Sequence, residues 1–154
     1  MEKIAVFPGS FDPITLGHDS VLRRALPLFD KIILAIGDNQ DKTPFFPLAK
    51  RISSLETIYK NEPKITVTVY SGLTVDFCRK NHAKYILRGL RTSADFEFER
   101  TIGLMNKAMY DEIETVFLLC DPAYAALSSS IVRDIIRNGG DVSNFVPEGI
   151  HVTG

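Results

Sequence analysis

Cysteine is scarce: Cys78 and Cys120 are the only two in 154 residues, and they are far apart. This argues against both a disulfide framework and a thiolate metal site. An excess of charge of one sign is also missing. Eighteen Lys and Arg stand against 19 Asp and Glu, a net charge of -1. General nucleic-acid binders carry a basic excess, so no nucleic-acid partner is expected and any positive charge that matters must act locally. No apolar run approaches the roughly 20 residues needed to cross a bilayer. Met1-Glu2-Lys3-Ile4 leads directly into a strand-like segment and leaves no room for a signal peptide. The expectation is a cytoplasmic protein with no membrane partner. With 45% hydrophobic and 24% charged residues, the chain is suited to one domain spanning 1–154 around a substantial core.

Short apolar runs rich in β-branched residues alternate with helical patterns. The runs are Ile4–Phe7, ended by Pro8-Gly9; Ile32–Ile36, ended by Gly37; Ile65–Val69; Tyr85–Leu87; and Val116–Leu119. Most are near-continuously apolar, as strands covered on both faces of a parallel sheet should be. Ile65–Val69 alternates apolar with polar and reads as an edge or half-exposed strand. Helices are expected over 17–29, with Pro27 distorting the last turn, and over 47–60, with Pro47 at the first helical position. Others are expected over 73–81, over 93–110 and over 129–138. The 93–110 helix would carry Ala94, Phe98, Ile102, Met105 and Met109 on one face and Ser93 as N-cap. Gly139-Gly140 stops the last helix. The strand–helix alternation implies an α/β fold, a doubly wound five-stranded parallel sheet. Ligands of such sheets bind beyond the carboxyl ends of the strands, where the strand order reverses.

The unusual polar residues fall on that rim. After strand one comes Gly9-Ser10-Phe11-Asp12-Pro13-Ile14-Thr15-Leu16-Gly17-His18. Thr15 can cap the next helix, Gly17 leaves room for a ligand, and His18 faces the same way as Thr15. A helix N-terminus beside a histidine donor suits phosphate oxygens. Taken alone, Gly-x-His reads equally well as a cap followed by a solvated histidine. Gly37-Asp38-Asn39-Gln40-Asp41-Lys42 follows strand two and by itself is an ordinary polar loop. After strand four, Arg88-Gly89-Leu90-Arg91 precedes the acids Asp95, Glu97 and Glu99; arginines there must be solvated, paired or liganded. After strand five, Tyr124-Ala125-Ala126-Leu127 leads into Ser128-Ser129-Ser130 and Arg133, where three serines could be nothing more than a cap.

Together these segments resemble the nucleotidyltransferase superfamily, and within it the bacterial-type phosphopantetheine adenylyltransferases. The form Pro-Gly-Ser/Thr-Phe-Asp-Pro-x-Thr-x-Gly-His runs unbroken from Pro8 to His18, and the serine segment resembles the motif Ile-Ser-Ser-Ser/Thr-x-x-Arg/Lys, with Leu127 in place of isoleucine. The resemblance implies a Rossmann-like nucleotidyltransferase fold that moves AMP from ATP to phosphopantetheine, with Mg²⁺ accompanying ATP and held by no protein side chain. It implies His18 as transition-state stabiliser. Ser10, Lys42, Thr74 and Arg88 would bind the acceptor, although Thr74 stands where an apolar residue is expected. Ser10, Phe11, His18, Gly89, Leu90, Arg91, Glu99 and the run Tyr124, Ala125, Ala126, Leu127, Ser128, Ser129 and Ser130 would bind ATP. A homohexamer and feedback by coenzyme A are further implications. Two rival readings remain open. One is a transferase that attaches AMP or CMP to another phosphorylated acceptor. The other is a non-catalytic nucleotide-binding module.

Overall fold

The computed structural model describes residues 1–38 and 43–150. Five parallel strands form one sheet: β1 (Ile4–Gly9), β2 (Lys31–Gly37), β3 (Ile65–Tyr70), β4 (Tyr85–Leu90) and β5 (Glu114–Leu119), in spatial order β3-β2-β1-β4-β5. Helices α1 (Leu16–Ala25), α2 (Leu48–Ile58), α3 (Thr74–Lys80) and α4 (Ser93–Met109) connect them, and α5 (Ser129–Arg137) follows β5. The doubly wound sheet is as expected, with the alternating β3 at an edge. The chain builds outward from β1 through β2 and β3, then returns to place β4 on β1's other side, so the order reverses between β1 and β4.

The apolar runs of β1 and β2 are buried because helices cover both faces. Phe7, Leu22, Leu34, Leu55 and Leu87 belong to a cluster under α1 and α2, while Val6, Ile33, Val75, Cys78 and Ile86 form another with α3. Cys78 is a small core hydrophobe whose thiol is pushed up to about 12 by burial, which leaves it unreactive.

All five strands run further than their apolar runs, and at β1 and β4 this shapes the crevice. β1 continues through Pro8 and Gly9 instead of ending at them, pairing Pro8 with Ala35 and Gly9 with Ile36 of β2. On its other side the ladder to β4 holds only at Ala5–Tyr85 and Val6–Ile86. Proline has no N–H to give to a ladder, so the sheet parts beyond Val6. Arg88 Nη1 reaches across the gap to the Pro8 carbonyl oxygen at 2.8 Å. β4 continues past Leu87 through Arg88 and Gly89 to Leu90, because its pairing with β5 persists there. Arg88 therefore projects from a strand, not from a loop.

The helix ends also differ in detail. Pro27 ends α1 at Ala25 and the chain goes on as a 3-10 turn over Leu26–Leu28. Pro47 stands just before α2, not in its first turn. The N-cap of α4 is Thr92, not Ser93: the Thr92 hydroxyl accepts the Asp95 N–H at 3.1 Å, which leaves Ser93 as the first helical residue. The apolar stripe of α4 is real but uncovered, for Phe98, Ile102, Met105 and Met109 are all exposed and Glu99 is the helix's buried residue. Among the described residues no helix is long and apolar enough to cross a membrane.

Candidate active site

The gap between β1 and β4 opens into a cavity of about 300 Å³, walled by β1, α1, β4, α4 and the start of α5. Its chemistry is set at the N-terminus of α1. Thr15, buried, caps the helix: its hydroxyl accepts the His18 N–H at 3.4 Å, and its own N–H donates to His18 Nδ1 at 3.0 Å. This is a capping box with histidine where Glu or Gln is usual. An imidazole whose Nδ1 accepts carries its proton on Nε2 when neutral, so the cap selects the tautomer. The ring is wedged edge-on against Phe11 and Phe7, with centroids 5.3 and 6.4 Å away. Phe11 has a left-handed backbone (φ 48°), costly for an aromatic residue and held by the burial of its ring. Burial first, and then the charges of Arg88 and Arg91, lower the His18 pKa from 6.5 to about 4. At neutral pH His18 is therefore an uncharged ring offering an Nε2–H donor in the wall of the cavity.

A direct check is NMR titration of the unliganded protein, with a His18→Gln variant to assign the resonance. The His18 ring should hold its neutral shift down to about pH 5 and titrate with a midpoint of about 4. The unfolded ring titrates at the ordinary value of 6.5. Protonation between the two values favours the unfolded chain, so this stability is complete above pH 6.5 and declines as pH falls toward 4. A midpoint near 6.5 would contradict the neutral-donor assignment.

The cationic wall comes from β4. Arg88 makes a two-pronged pair with Glu99 of α4, Nε to Oε2 at 2.9 Å and Nη2 to Oε1 at 2.7 Å. Its guanidinium is thus fixed by Glu99 on one edge and Pro8 on the other. Arg91 is held more loosely, with Nε 3.3 Å from Asp95 and Nη1 donating to the Leu127 carbonyl at 3.0 Å. Gly89 lets α1 sit close on β4, since a Cβ there would lie 3.0 Å from Val21 Cγ2.

The third wall is the start of α5, where Ser128 caps the helix by accepting the Ile131 N–H at 3.2 Å. Ser129 Oγ donates to the Pro13 carbonyl at 2.7 Å, and Arg133 donates to the Asp12 carbonyl at 2.8 Å. These bonds tie α5 to the loop after β1, so the N-termini of α1 and α5 meet at one cavity. Two helix N-termini, two guanidiniums and a neutral imidazole donor suit a polyanion.

Of the residues singled out from sequence, Ser10, His18, Arg88, Gly89, Arg91, Glu99, Tyr124, Leu127, Ser128 and Ser129 line this cavity. Phe11 and Leu90 are buried behind it and do not line it. Ala125, Ala126 and Ser130 lie outside the lining. Thr74 lines an adjoining cavity of about 220 Å³ that shares Pro8, Gly9, Arg88 and Glu99 with the first, and its hydroxyl lies 2.8 Å from that of Tyr70. Lys42 lies outside the described residues. Sequence reasoning missed Phe7, Val21 and Cys120 in the wall. Val21 was legible as the residue one helical turn past His18; nothing in the pattern marked Cys120.

Residues 6–135 match the cytidylyltransferase-like family model, so the chain belongs to that class of nucleotidyltransferases. The chain is also similar to a solved structure described as a nicotinate-nucleotide adenylyltransferase from Vibrio parahaemolyticus. The TM-score is 0.73 at 18% identity, over 97% of this chain and 90% of that one, a likeness of fold alone. The chain is 52% identical to a phosphopantetheine adenylyltransferase from Flavobacterium psychrophilum, over 96% of its own length and 97% of the relative's. It is 46% identical to another from Cytophaga hutchinsonii, over 96% and 98%. Within the nucleotidyltransferases, the chain belongs to the phosphopantetheine adenylyltransferase family.

Proposed function

We propose the following division of labour for the reaction of this family, transfer of the adenylyl group of ATP to phosphopantetheine to give dephospho-coenzyme A and pyrophosphate. The observation that carries it is the neutral His18 donor, fixed by Thr15 in the same cavity as Arg88 and Arg91. The acceptor's phosphate oxygen attacks the α-phosphorus in line and the oxygen bridging to the β-phosphate leaves. The protein's work is positioning and charge stabilisation, with no covalent enzyme intermediate. His18 Nε2–H donates to an α-phosphate oxygen as negative charge gathers there. Being uncharged, it need not surrender a proton to do so.

Arg88, with Ser10 and Lys42, holds the acceptor phosphate. The rigid Glu99 pair fixes the plane of the guanidinium and leaves its remaining donors for phosphate oxygens. Glu99 itself is engaged with Arg88, so its part in nucleotide binding is to hold that wall. Arg91 and the serines at the start of α5 hold the β- and γ-phosphates, and Tyr124 lies by the adenine. Phe11, Leu90, Ala125 and Ala126 serve through their backbone. Thr74 sits beside the arm of the acceptor, where the exposed Phe98 and Ile102 supply an apolar wall.

Both carboxylates of the cavity, Asp95 and Glu99, are paired with arginines, and no metal-ligating cluster occurs among the described residues. These donors fit phosphate oxygens better than a bare cation. Mg²⁺ bound with ATP would supply charge neutralisation at the phosphate oxygens, while Arg88, Arg91 and the serines at the start of α5 hold those oxygens from the protein side. The reading is of a cytoplasmic enzyme, and coenzyme A, which shares the acceptor's arm, would compete for the same rim.

Incubation with ATP, Mg²⁺ and phosphopantetheine should yield dephospho-coenzyme A by mass detection. A panel of other phosphorylated acceptors, with ATP or CTP, should release far less pyrophosphate. Equal release with another acceptor would reject the assignment. The part of the α4 stripe beyond the acceptor cavity, with Met105 60% and Met109 45% exposed, supports self-association through that face, and the family resemblance implies a homohexamer. Light scattering should then report a mass about six times the 17.2 kDa chain. Charged replacements at Met105 and Met109 should reduce it.

A further inference from the structure

Four polar or charged side chains are buried among the described residues: Asp12, Thr15, Arg51 and Glu99. Thr15 orients His18, and Glu99 orients Arg88. Asp12 and Arg51 have no part in the division of labour above, yet each is only 7% exposed. Burying a charge is costly unless its hydrogen bonds are all made, so what the two hold in place matters. The Asp12 carboxylate accepts two consecutive amides, Oδ2 from the Phe45 N–H and Oδ1 from the Phe46 N–H, each at 2.8 Å. Arg51, from α2, donates through Nε to the Phe46 carbonyl at 3.1 Å and through Nη1 to the Ser10 carbonyl at 2.7 Å. The two charges form no ion pair with each other among the described residues. Instead each binds the backbone of a different segment, and together they clasp the loop after β1 to the chain entering α2.

Position indicates what the clasp serves. On one side of it is Ser10, which lines both the main cavity and a second hollow shared with Asp12, Phe45 and Arg51. On the other is Phe45, three residues after Lys42 in the chain. Ser10 and Lys42, which follow the neighbouring strands β1 and β2, are the residues assigned with Arg88 to the acceptor phosphate. The nucleotide side is fastened separately. Ser129 and Arg133 donate to the carbonyls of Pro13 and Asp12, main-chain groups that persist whatever side chain stands at position 12. His18 is oriented by Thr15. A change at the Asp12 carboxylate therefore acts on the acceptor's side of the reaction.

We propose that Asp12 is a positioning residue for the acceptor phosphate: with Arg51 it fixes Ser10 relative to the segment that follows Lys42, so that both residues meet the same phosphate. The inference rests on the adenylyl-transfer reading. Asp12 touches no reacting atom, since both its oxygens are occupied by backbone amides. Its effect passes through Ser10 and Lys42.

Asp12→Asn keeps the shape and one acceptor oxygen but turns an NH2 group toward a backbone N–H. It should raise the KM for phosphopantetheine about tenfold, the scale of one lost hydrogen bond to a charged group, and leave the KM for ATP within about twofold. A role confined to folding would lower Tm and the active fraction and leave both KM values alone. The decisive arm is a double-mutant cycle with Lys42→Ala. If Asp12 acts by placing that segment, its penalty on the phosphopantetheine KM should shrink to within about twofold in the Lys42→Ala background. Arg51→Gln, which retains a donor for only one of the two carbonyls, should give the same split between substrates and serves if Asp12→Asn does not fold. An unchanged KM for phosphopantetheine, an equal rise for ATP, or a full penalty without Lys42 each overturn the proposal. A wild type that forms no dephospho-coenzyme A overturns the adenylyl-transfer reading itself. Calorimetric binding of phosphopantetheine to the same variants is independent of that assay and should follow the order of the KM values.

Discussion

Replacing His18 by alanine should lower kcat by about 10²-fold or more, the order seen when one donor to a developing oxyanion is removed. The KM for ATP should change far less. The expectation follows from what the ring can do in this setting. Its Nδ1 is occupied by the Thr15 N–H, its pKa is lowered to about 4, and its Nε2–H is free to donate without becoming charged. A donor fixed before the reaction needs no reorganisation as charge builds, so its benefit appears mainly in turnover. The variant also strands the Thr15 amide at a buried N-cap, an unsatisfied group costing about 1–3 kcal/mol. A lower Tm must therefore be separated from lost chemistry. His18→Gln does this, because glutamine is a normal partner at the third position of a capping box. It should recover most of the Tm lost in the alanine variant and little of the kcat. Near-normal turnover in either variant would remove the imidazole from the mechanism.

Arg88→Ala should be the most damaging single change to both stability and acceptor use. Glu99 is 9% exposed, and both its oxygens are taken by Arg88. Removing one partner of such a pair leaves an uncompensated charge, with a cost of about 3–5 kcal/mol. The Pro8 carbonyl at the parted edge of the sheet loses its donor as well. Chemical denaturation should register this, and kcat/KM for phosphopantetheine should fall about 10²-fold or more through loss of a bidentate phosphate contact. The double variant Arg88→Ala, Glu99→Ala distinguishes the two effects. With both charges gone, much of the stability should return, while use of the acceptor should stay impaired. If the double variant regained acceptor use, Arg88 would be a structural residue only.

Much of this was legible in the linear chain, and the exceptions have physical causes. Uninterrupted apolar runs meant strands covered on both faces, and β1 and β2 are buried through their centres for that reason. The segment from Pro8 to His18 placed a threonine cap and a histidine in the first turn of one helix, and its reading as a phosphate site came from the family resemblance. The capping box was only half visible, since a histidine is not an obvious partner for an N-cap amide. The limits of β1 and β4 were misjudged because Pro8 is a breaker by local preference and Arg88 interrupts the apolar run of β4. A strand with a neighbour to pair with tolerates a proline or an arginine, and here the neighbours were β2 and β5. The α4 stripe was read correctly as amphipathic, yet periodicity is silent on what an apolar face packs against. Phe11 and Leu90 sit within motifs whose other members line the cavity. Alternation along β4 turns Leu90 into the core, and Phe11, at a left-handed turn in the loop after β1, is buried there too.

The strand order along the chain, the caps at Thr15 and Ser128 and the basic pair Arg88 and Arg91 were determined by the sequence alone, because each depends on neighbours within a few residues. Three things were decided only by the tertiary structure. These are the parting of β1 from β4 beyond Val6, the locking of Arg88 by Glu99 and Pro8, and the depressed basicity of His18. Each depends on groups distant in sequence being brought within hydrogen-bonding range or into shared burial, and such distances do not exist until the sheet has formed.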